Sequence, residues 1–303
     1  MTDLPLVSVI IPVFNMANFL PEAIESALTQ TYTRTEVIVV DDGSTDASRE
    51  IAASYGRTIR LISQKNTGLA SARNRGIQQA RGSLIGLLDA DDRWLPHKLT
   101  TEVPMFSHPA VGVVHGSYRK FPAGHRAAGT VVKPQGQPTS FHRLLRFNEV
   151  GAPVSVIFRR EAWQEAGAFD PRVPGVEDWD LWIRMSLKQR ILGSAPVTSE
   201  YRLRDDSMSR NYESMYQSLL AVIRKNSSRH GQCAECLAAV RRARWNARSY
   251  YYNQSVIRAE RARADGRYLQ FLTLRGRAML RDPRALWRVG PSLVRRVHAH
   301  IWG

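Results

Sequence analysis

Strand-like and helix-like segments alternate through the first 90 residues, and this pattern limits the fold more than anything else in the chain. Residues 6–13 (LVSVIIPV) form a nearly continuous β-branched run, and residues 36–40 (EVIVV) form a second. Runs this apolar suit strands buried on both faces. Shorter runs follow at 59–62 and 83–88. Between them, residues 19–29 read as a helix capped by Asn18, residues 46–55 as a helix begun by Ser44 or Thr45, and residues 69–80 as a helix closed at Gly82. Strands separated by helices have room for crossover connections, so the expectation is an α/β fold around a mostly parallel sheet. In such sheets the ligand crevice lies beyond the carboxyl ends of the strands.

Acidic residues fall at two of those ends. Asp41 and Asp42 follow the second strand, and Asp89, Asp91 and Asp92 follow the fourth. Three carboxylates within four residues repel one another unless something positive lies between them. A hard divalent cation such as Mg²⁺ or Mn²⁺ prefers oxygen ligands and commonly joins carboxylates to the phosphates of a nucleotide. Solvated loop acids, or a helix cap ahead of Leu95, also fit the run when it is taken alone. Asp42 is placed to accept hydrogen bonds from a base N–H or a ribose hydroxyl, whereas an Asx turn accounts for Asp41.

Between the clusters, KNTGLASARN (65–74) sets Gly68 at the start of a helix. Glycine there allows close approach of a ligand, and a helix N-terminus favours anions. Arg73 and Asn74 could turn donors toward the crevice; a plain helix-capping loop fits equally. Further on, Glu177-Asp178-Trp179-Asp180 opens a helix in which Asp178 shares a sector with Leu181, Trp182 and Met185. A first-turn carboxylate stays ionised beside the helix dipole, as a general base must. Glu177 suits a contact at the crevice edge, and Asp180 an i,i+4 pair with Arg184.

From about residue 105 the alternation loosens. Strands are expected at 111–118 and 155–158, a Gly- and Pro-rich loop at 123–138, a helix at 176–188, and an almost wholly helical region from Ser207, broken at Gly231, Gly266 and Pro283. Charge marks the same boundary. The chain of 303 residues carries 43 Lys+Arg against 27 Asp+Glu, net +16, and 19 of those bases against 5 acids lie in 207–303. Two domains are therefore expected, a catalytic one over 1–206 and an arginine-rich helical one over 207–303. With 43% hydrophobic and 23% charged residues the composition is globular, which excludes collagen-like or wholly disordered chains.

The motifs SVIIPVFN (8–15), EVIVVDDGSTD (36–46), NTGLASARNRGI (66–77), LIGLLDADD (84–92) and VEDWDLW (176–182), taken in order, resemble glycosyltransferase family 2 with the GT-A fold, over about residues 5–205. The resemblance implies an inverting transfer from a nucleotide-diphosphate sugar to a hydroxyl acceptor, such as a glycan or lipid-linked glycan. It further implies that Pro12, Val13 and Asn15 line the nucleotide pocket, that Asp42 meets the nucleobase, and that Asp89 and Asp91 form the D-x-D. Asp91 and Asp92 are the expected ligands of Mn²⁺ or Mg²⁺, and Asp178 the base. Gly68, Arg73 and Glu177 are expected on the donor side of the crevice.

Two rivals fit less of the sequence. A nucleotidyltransferase would need a glycine-rich basic loop where Pro12-Val13-Phe14-Asn15 stands. A nucleic-acid-binding protein would explain the basic tail but not the acidic strand ends, so no nucleic-acid partner is expected. Arginines interleaved with aromatic and apolar residues over 240–302, with Leu293, Val294, Val297 and Ile301 on one helical face, suggest binding to an anionic membrane surface. Residues 262–285 also look like a tetratricopeptide-type hairpin, which favours packing on the catalytic domain instead. Cys233 and Cys236 with His230 have zinc-like spacing but lack a nearby fourth ligand, so a small buried thiol pair is expected. Such sparse cysteine, no spanning apolar run and no leader before Asp3 and Pro5 place the expected location in the cytosol, peripherally on a membrane's cytosolic face.

Overall fold

The structure is a computed structural model that describes residues 4–122, 129–134, 139–204, 207, 211–229, 231 and 233–281. Its contacts divide the chain into two compact units, one of residues 1–144 and 148–206, the other of residues 145–147 and 207–303.

The first unit begins as the alternation dictates. β1 (Val7–Val13), α1 (Leu20–Leu28), β2 (Thr35–Asp41), α2 (Ser48–Ser54), β3 (Arg60–Ser63), α3 (Leu69–Gln78) and β4 (Leu84–Leu87) follow in order. β1 lies at the centre, parallel to β2 on one side and β4 on the other, with β3 outside β2. Every residue of β1 is buried, which is why its sequence shows no polar alternation. Helix α3 lies so close to this sheet that a Cβ on Gly76 would meet Ile10 Cγ2 at 2.6 Å. Neither expected cap forms. Phe19 and Ala47 occupy the N-cap positions of α1 and α2 without side-chain bonds, and Pro21 starts α1 instead.

The remainder of this unit is antiparallel in large part. β5 (Arg93–Trp94), α4 (Lys98–Glu102), β6 (Val111–Pro122), β7 (Thr130–Val132), α5 (Phe141–Arg146), β8 (Val156–Arg159), α6 (Arg160–Ala166), α7 (Glu177–Met185) and β9 (Arg190–Leu203) complete it. The sheet order is β3-β2-β1-β4-β8-β6-β9-β5, with β7 on β6. β8 runs antiparallel to both β4 and β6, while β9 runs parallel to β6. The expected fold class holds, with a mixed sheet. β9 is absent from the sequence-based expectations because Gly193, Ala195 and Pro196 interrupt its pattern. The register against β6 jumps from Ser194 to Val197, so Pro196 sits in a bulge where no ladder N–H is required. Part of the expected loop 123–138 is β7, with Gly129, Lys133 and Pro134 beside it; residues 123–128 and 135–138 lie outside the described residues.

The second unit contains α8 (Tyr212–Asn226), α9 (Ala234–Ala264) and α10 (Tyr268–Arg281). Tyr216 and Tyr251 pack with ring centroids 5.3 Å apart, joining α8 to α9. The hairpin expected over 262–285 appears as the end of α9, a turn at Asp265-Gly266, and α10. Cys233 caps α9 with its Sγ accepting the Cys236 N–H at 3.2 Å. The two sulfurs are 3.1 Å apart, Cys233 exposed and Cys236 buried. His230, Pro283 and the face formed by residues 293–301 lie outside the described residues. No helix among those described is long and apolar enough to cross a membrane.

Candidate active site

The carboxyl ends of β1, β2 and β4 lie side by side at one edge of the sheet, where α/β sheets hold their ligand crevice. Within β1, Val13 accepts the amide of Asp42 from the β2 side, whereas Ile10 accepts that of Leu88 from the β4 side. Strand alternation therefore turns Pro12 toward β4, which has already ended, so its missing N–H costs no ladder bond. Asn15 adopts a left-handed backbone, φ 54°, a conformation asparagine tolerates. Its side-chain oxygen accepts the Thr45 amide at 2.8 Å, and its own amide donates to Ser44 Oγ at 3.1 Å. The loops after β1 and β2 are thereby tied together. Asp41 accepts the Ser44 amide at 3.0 Å, the turn expected of it.

Asp42 is buried and holds the loop before α3. Its Oδ1 accepts from Gln64 Nε2 at 2.8 Å and the Thr67 amide at 2.9 Å, and its Oδ2 accepts the Gly68 amide at 2.8 Å. Gly68 takes φ 90°, a value glycine reaches without Cβ strain, and begins α3. One turn further along, Arg73 is buried with 1% exposure. Its Nη1 donates to Glu177 Oε1 at 2.9 Å, and its Nη2 to Asp89 Oδ1 and Oδ2 at 2.7 and 3.0 Å. One guanidinium therefore joins the end of β4 to the start of α7. Asn74 instead bonds the backbone of Phe169.

Asp89 and Asp91 are each about one-fifth exposed, while Asp92 is buried. Asp92 Oδ1 accepts the Arg202 amide at 2.8 Å, and Arg204 Nη1 lies 3.1 Å from Asp91 Oδ2. Arg202 further donates from Nε to the Asp91 carbonyl at 2.7 Å and pairs with Glu22. Burial raises the pKa of Asp91, and repulsion from Asp89 adds to it while Arg204 opposes it. Asp92 is pushed well above the ordinary carboxylate range, first by burial and then by Asp91 and Asp89. Its Oδ2 is buried without a hydrogen-bond partner. Hard oxygen donors whose charges repel and which retain an unpaired buried oxygen fit a divalent cation.

Asp178 stands in the first turn of α7, partly covered, with its Oδ1 accepting the Trp179 amide at 2.6 Å. Leu181, Trp182 and Met185 are buried along the expected sector. Burial and the neighbouring Glu177 charge raise Asp178 to about 7, with Arg73 opposing them. Glu177, expected at the crevice edge, is buried and carries the Arg73 bridge, its Oε2 unpaired. Asp180 pairs with Arg184 at 2.9 Å as expected, and Arg184 also donates to the Gly167 and Ala168 carbonyls at 2.7 and 2.8 Å.

Three contributors escaped the sequence. Arg202 arrives at the acidic cluster on the unrecognised β9, and Arg204 just past its end. Tyr118, buried on β6, has its hydroxyl pKa raised by burial and, to a lesser degree, by the charges of Asp178 and Asp92. The order of motifs identifies none of them; recognition of β9 as the neighbour of β6 would have located the two arginines.

Carboxylates gathered at parallel strand ends, beside a helix opened by glycine, are the layout of a ligand crevice in doubly wound α/β proteins. A family model described as glycosyl transferase family 2 matches residues 8–166, more than half of the chain, and one described as glycosyltransferase like family 2 matches 141–256. An uncharacterized glycosyltransferase of Rickettsia typhi is 30% identical over 240 residues, covering 73% of each chain. One from Rickettsia bellii is 35% identical over 193 residues, covering 61% of this chain and 28% of its own length. This chain spans about a third or less of the first few such relatives. Among solved structures, S. aureus TarS (residues 1–349) in complex with UDP-GlcNAc superposes with TM-score 0.64 at 17% identity, covering 89% of this chain and 90% of that one. The mannosyltransferase PcManGT from Pyrobaculum calidifontis, in complex with GDP-Man and Mn²⁺, gives 0.61 at 21%, covering 99% and 88%. At these identities the likeness establishes the GT-A fold. The chain belongs to glycosyltransferase family 2.

Proposed function

We propose that the first unit transfers a sugar from a nucleotide-diphosphate sugar to a hydroxyl acceptor, inverting the anomeric carbon, in the assembly of cell-surface polysaccharide or glycolipid. The Arg73 bridge is the observation that carries this reading, because it brings the carboxylates after β4 and the Glu177-Asp178 pair to one crevice. The UDP-GlcNAc held by TarS, and the GDP-Man and Mn²⁺ held by PcManGT, support the donor class and the cation.

In this reading Pro12, Val13 and Asn15 line the nucleotide pocket with Asp42 and the loop it fixes. Gly68, Arg73 and Glu177 shape the donor side. Asp91 and Asp92, with Asp89 beside them, would hold Mn²⁺ or Mg²⁺, which supplies Lewis-acid stabilisation of charge on the departing diphosphate. Asp178 accepts the proton of the acceptor hydroxyl. That oxygen then bonds to the sugar C1 from the face opposite the diphosphate, and the C1–O bond breaks with its electron pair leaving on the phosphate oxygen. A pKa near 7 suits this task, since the carboxylate is both substantially ionised and basic at neutral pH.

The basic composition of residues 207–303 supports a peripheral position on the cytosolic face of a membrane, where lipid-linked acceptors are found. Release of nucleoside diphosphate from a panel of UDP-, GDP- and dTDP-sugars tests the chemistry. Asp178→Asn should lose about 10²- to 10⁴-fold in turnover while donor binding, followed as a thermal shift, survives. Equal loss of both would remove Asp178 from the role of base.

A further inference from the structure

Among the described residues, nothing covers one face of helix α10. Phe271, Leu274 and Arg275 are partly buried, and Arg275 Nη1 lies 3.9 Å from Glu260 of α9, so this stripe faces α9. The opposite stripe, at i, i+3, i+4 and i+7, consists of Leu269, Leu272, Thr273 and Gly276, all exposed. Leu269 is 84% exposed and Leu272 63%, with Tyr268 beside them at 64%. Two adjacent leucines this open on a helix without a charge on that stripe are unfavourable in water.

The surroundings are cationic. Arg258, Arg261, Arg263 and Arg267 are exposed around the turn that leads into α10. Against them stand Glu260, already near Arg263 and Arg275, and Asp265, 2.5 Å from Arg267. Along α9, Arg242 stacks over the exposed Trp245 at 4.4 Å. A nucleic acid would pair with the arginines but offers no apolar medium for Leu269 and Leu272. A neutral protein groove would take the leucines and leave the excess positive charge unanswered. An anionic bilayer supplies both an apolar layer and a sheet of phosphates immediately outside it.

We propose that the Leu269–Leu272 stripe of α10 is the insertion face by which this protein docks on an anionic lipid bilayer, with the arginines around the Asp265-Gly266 turn resting on the phosphates. This deepens the membrane location proposed above and is independent of the transfer chemistry. Apolar side chains sink to the acyl boundary while arginines stay at headgroup level, so the two groups occupy different depths.

Co-sedimentation of the full chain with sucrose-loaded vesicles tests the assignment. Equimolar phosphatidylglycerol and phosphatidylcholine should bind the wild type, and phosphatidylcholine alone should bind it far less. The Leu269→Glu, Leu272→Glu double variant should bind the mixed vesicles at least about ten-fold more weakly. Both substitutions are at exposed positions, and a melting temperature and circular-dichroism spectrum like those of the wild type verify that the variant is folded. Arg261→Gln with Arg263→Gln, a second variant, should weaken binding only to the phosphatidylglycerol vesicles. Equal binding by wild type and the glutamate variant, or no binding by the wild type, overturns the proposal. So does a wild-type dimer in gel filtration that the same two glutamates dissociate, since the face would then belong to a second copy of the chain. None of these outcomes depends on turnover, so failure here leaves the glycosyltransferase reading standing, and failure of that reading leaves the vesicle result intact.

Discussion

Replacing Asp178 with asparagine should make the protein more stable above neutral pH even as it removes the proposed base. In the native state burial and Glu177 raise this carboxyl to about 7, against about 3.9 in an unfolded chain. The folded protein therefore holds the proton more tightly than the unfolded one. Below about pH 4 both states are protonated and no penalty arises. Between about 4 and 7 the unfolded state gives up the proton first, and stability falls as pH rises; above 7 the loss is complete. Three pH units at about 1.4 kcal/mol each give a ceiling of roughly 4 kcal/mol. Asp178 keeps contact with solvent at the crevice, so screening reduces this to roughly 2 kcal/mol. For a unit of this size that is about 4 to 8 °C in Tm. Asparagine retains an oxygen for the Trp179 amide and carries no charge at any pH. Scanning calorimetry of both proteins at a fixed scan rate from pH 4 to 8.5 should show coincident Tm values at the acid end. The variant should then gain progressively, with a plateau above pH 7. A difference that does not change with pH, or a wild type more stable at pH 8, would refute the reasoning.

The same titration sets the pH dependence of turnover. Donor turnover should rise about ten-fold per pH unit below 7 and level off above it. More Mn²⁺ should move the midpoint downward, because positive charge near Asp89 and Asp91 favours ionised Asp178; a midpoint near 4 under all conditions would contradict the environment described for it. Arg73→Gln leaves Asp89 and the buried Glu177 without their shared cation. Unfolding in urea should show a loss of about 3 to 5 kcal/mol, and an unchanged midpoint would mean that the bridge contributes nothing.

How much of this was readable beforehand follows from which interactions are local. β1, β2 and β4 declare themselves because they are buried and apolar over most or all of their length, β3 by its place in the alternation, and Asp41, Asp42 and Asp89 lie at strand ends by chain order alone. The i,i+4 pair of Asp180 with Arg184 is equally local. The bridge made by Glu177 is hidden because its partner, Arg73, is 104 residues away, and no spacing rule encodes that bond. The bonds by which the oxygens of Asp42 hold Gln64, Thr67 and Gly68 are hidden as well, because no sequence motif records what a loop needs to be held. β9 is invisible for a different reason: its bulge breaks the period of two on which strand recognition depends. With it went Arg202, whose position derives from pairing with Phe121 of β6 rather than from neighbours in sequence, and Arg204, which follows the strand's end.

The central claim is that carboxylates at the end of β4 hold a nucleoside diphosphate through a divalent cation. Isothermal titration of UDP and GDP, each with Mn²⁺ and with EDTA, into the wild type and Asp91→Asn tests it most directly. The account predicts that one nucleotide binds the wild type in Mn²⁺ and at least about ten-fold more weakly in EDTA, with Asp91→Asn behaving in Mn²⁺ as the wild type does in EDTA. Equal affinity with and without the metal, or an Asp91→Asn protein that keeps its full metal dependence, would contradict it.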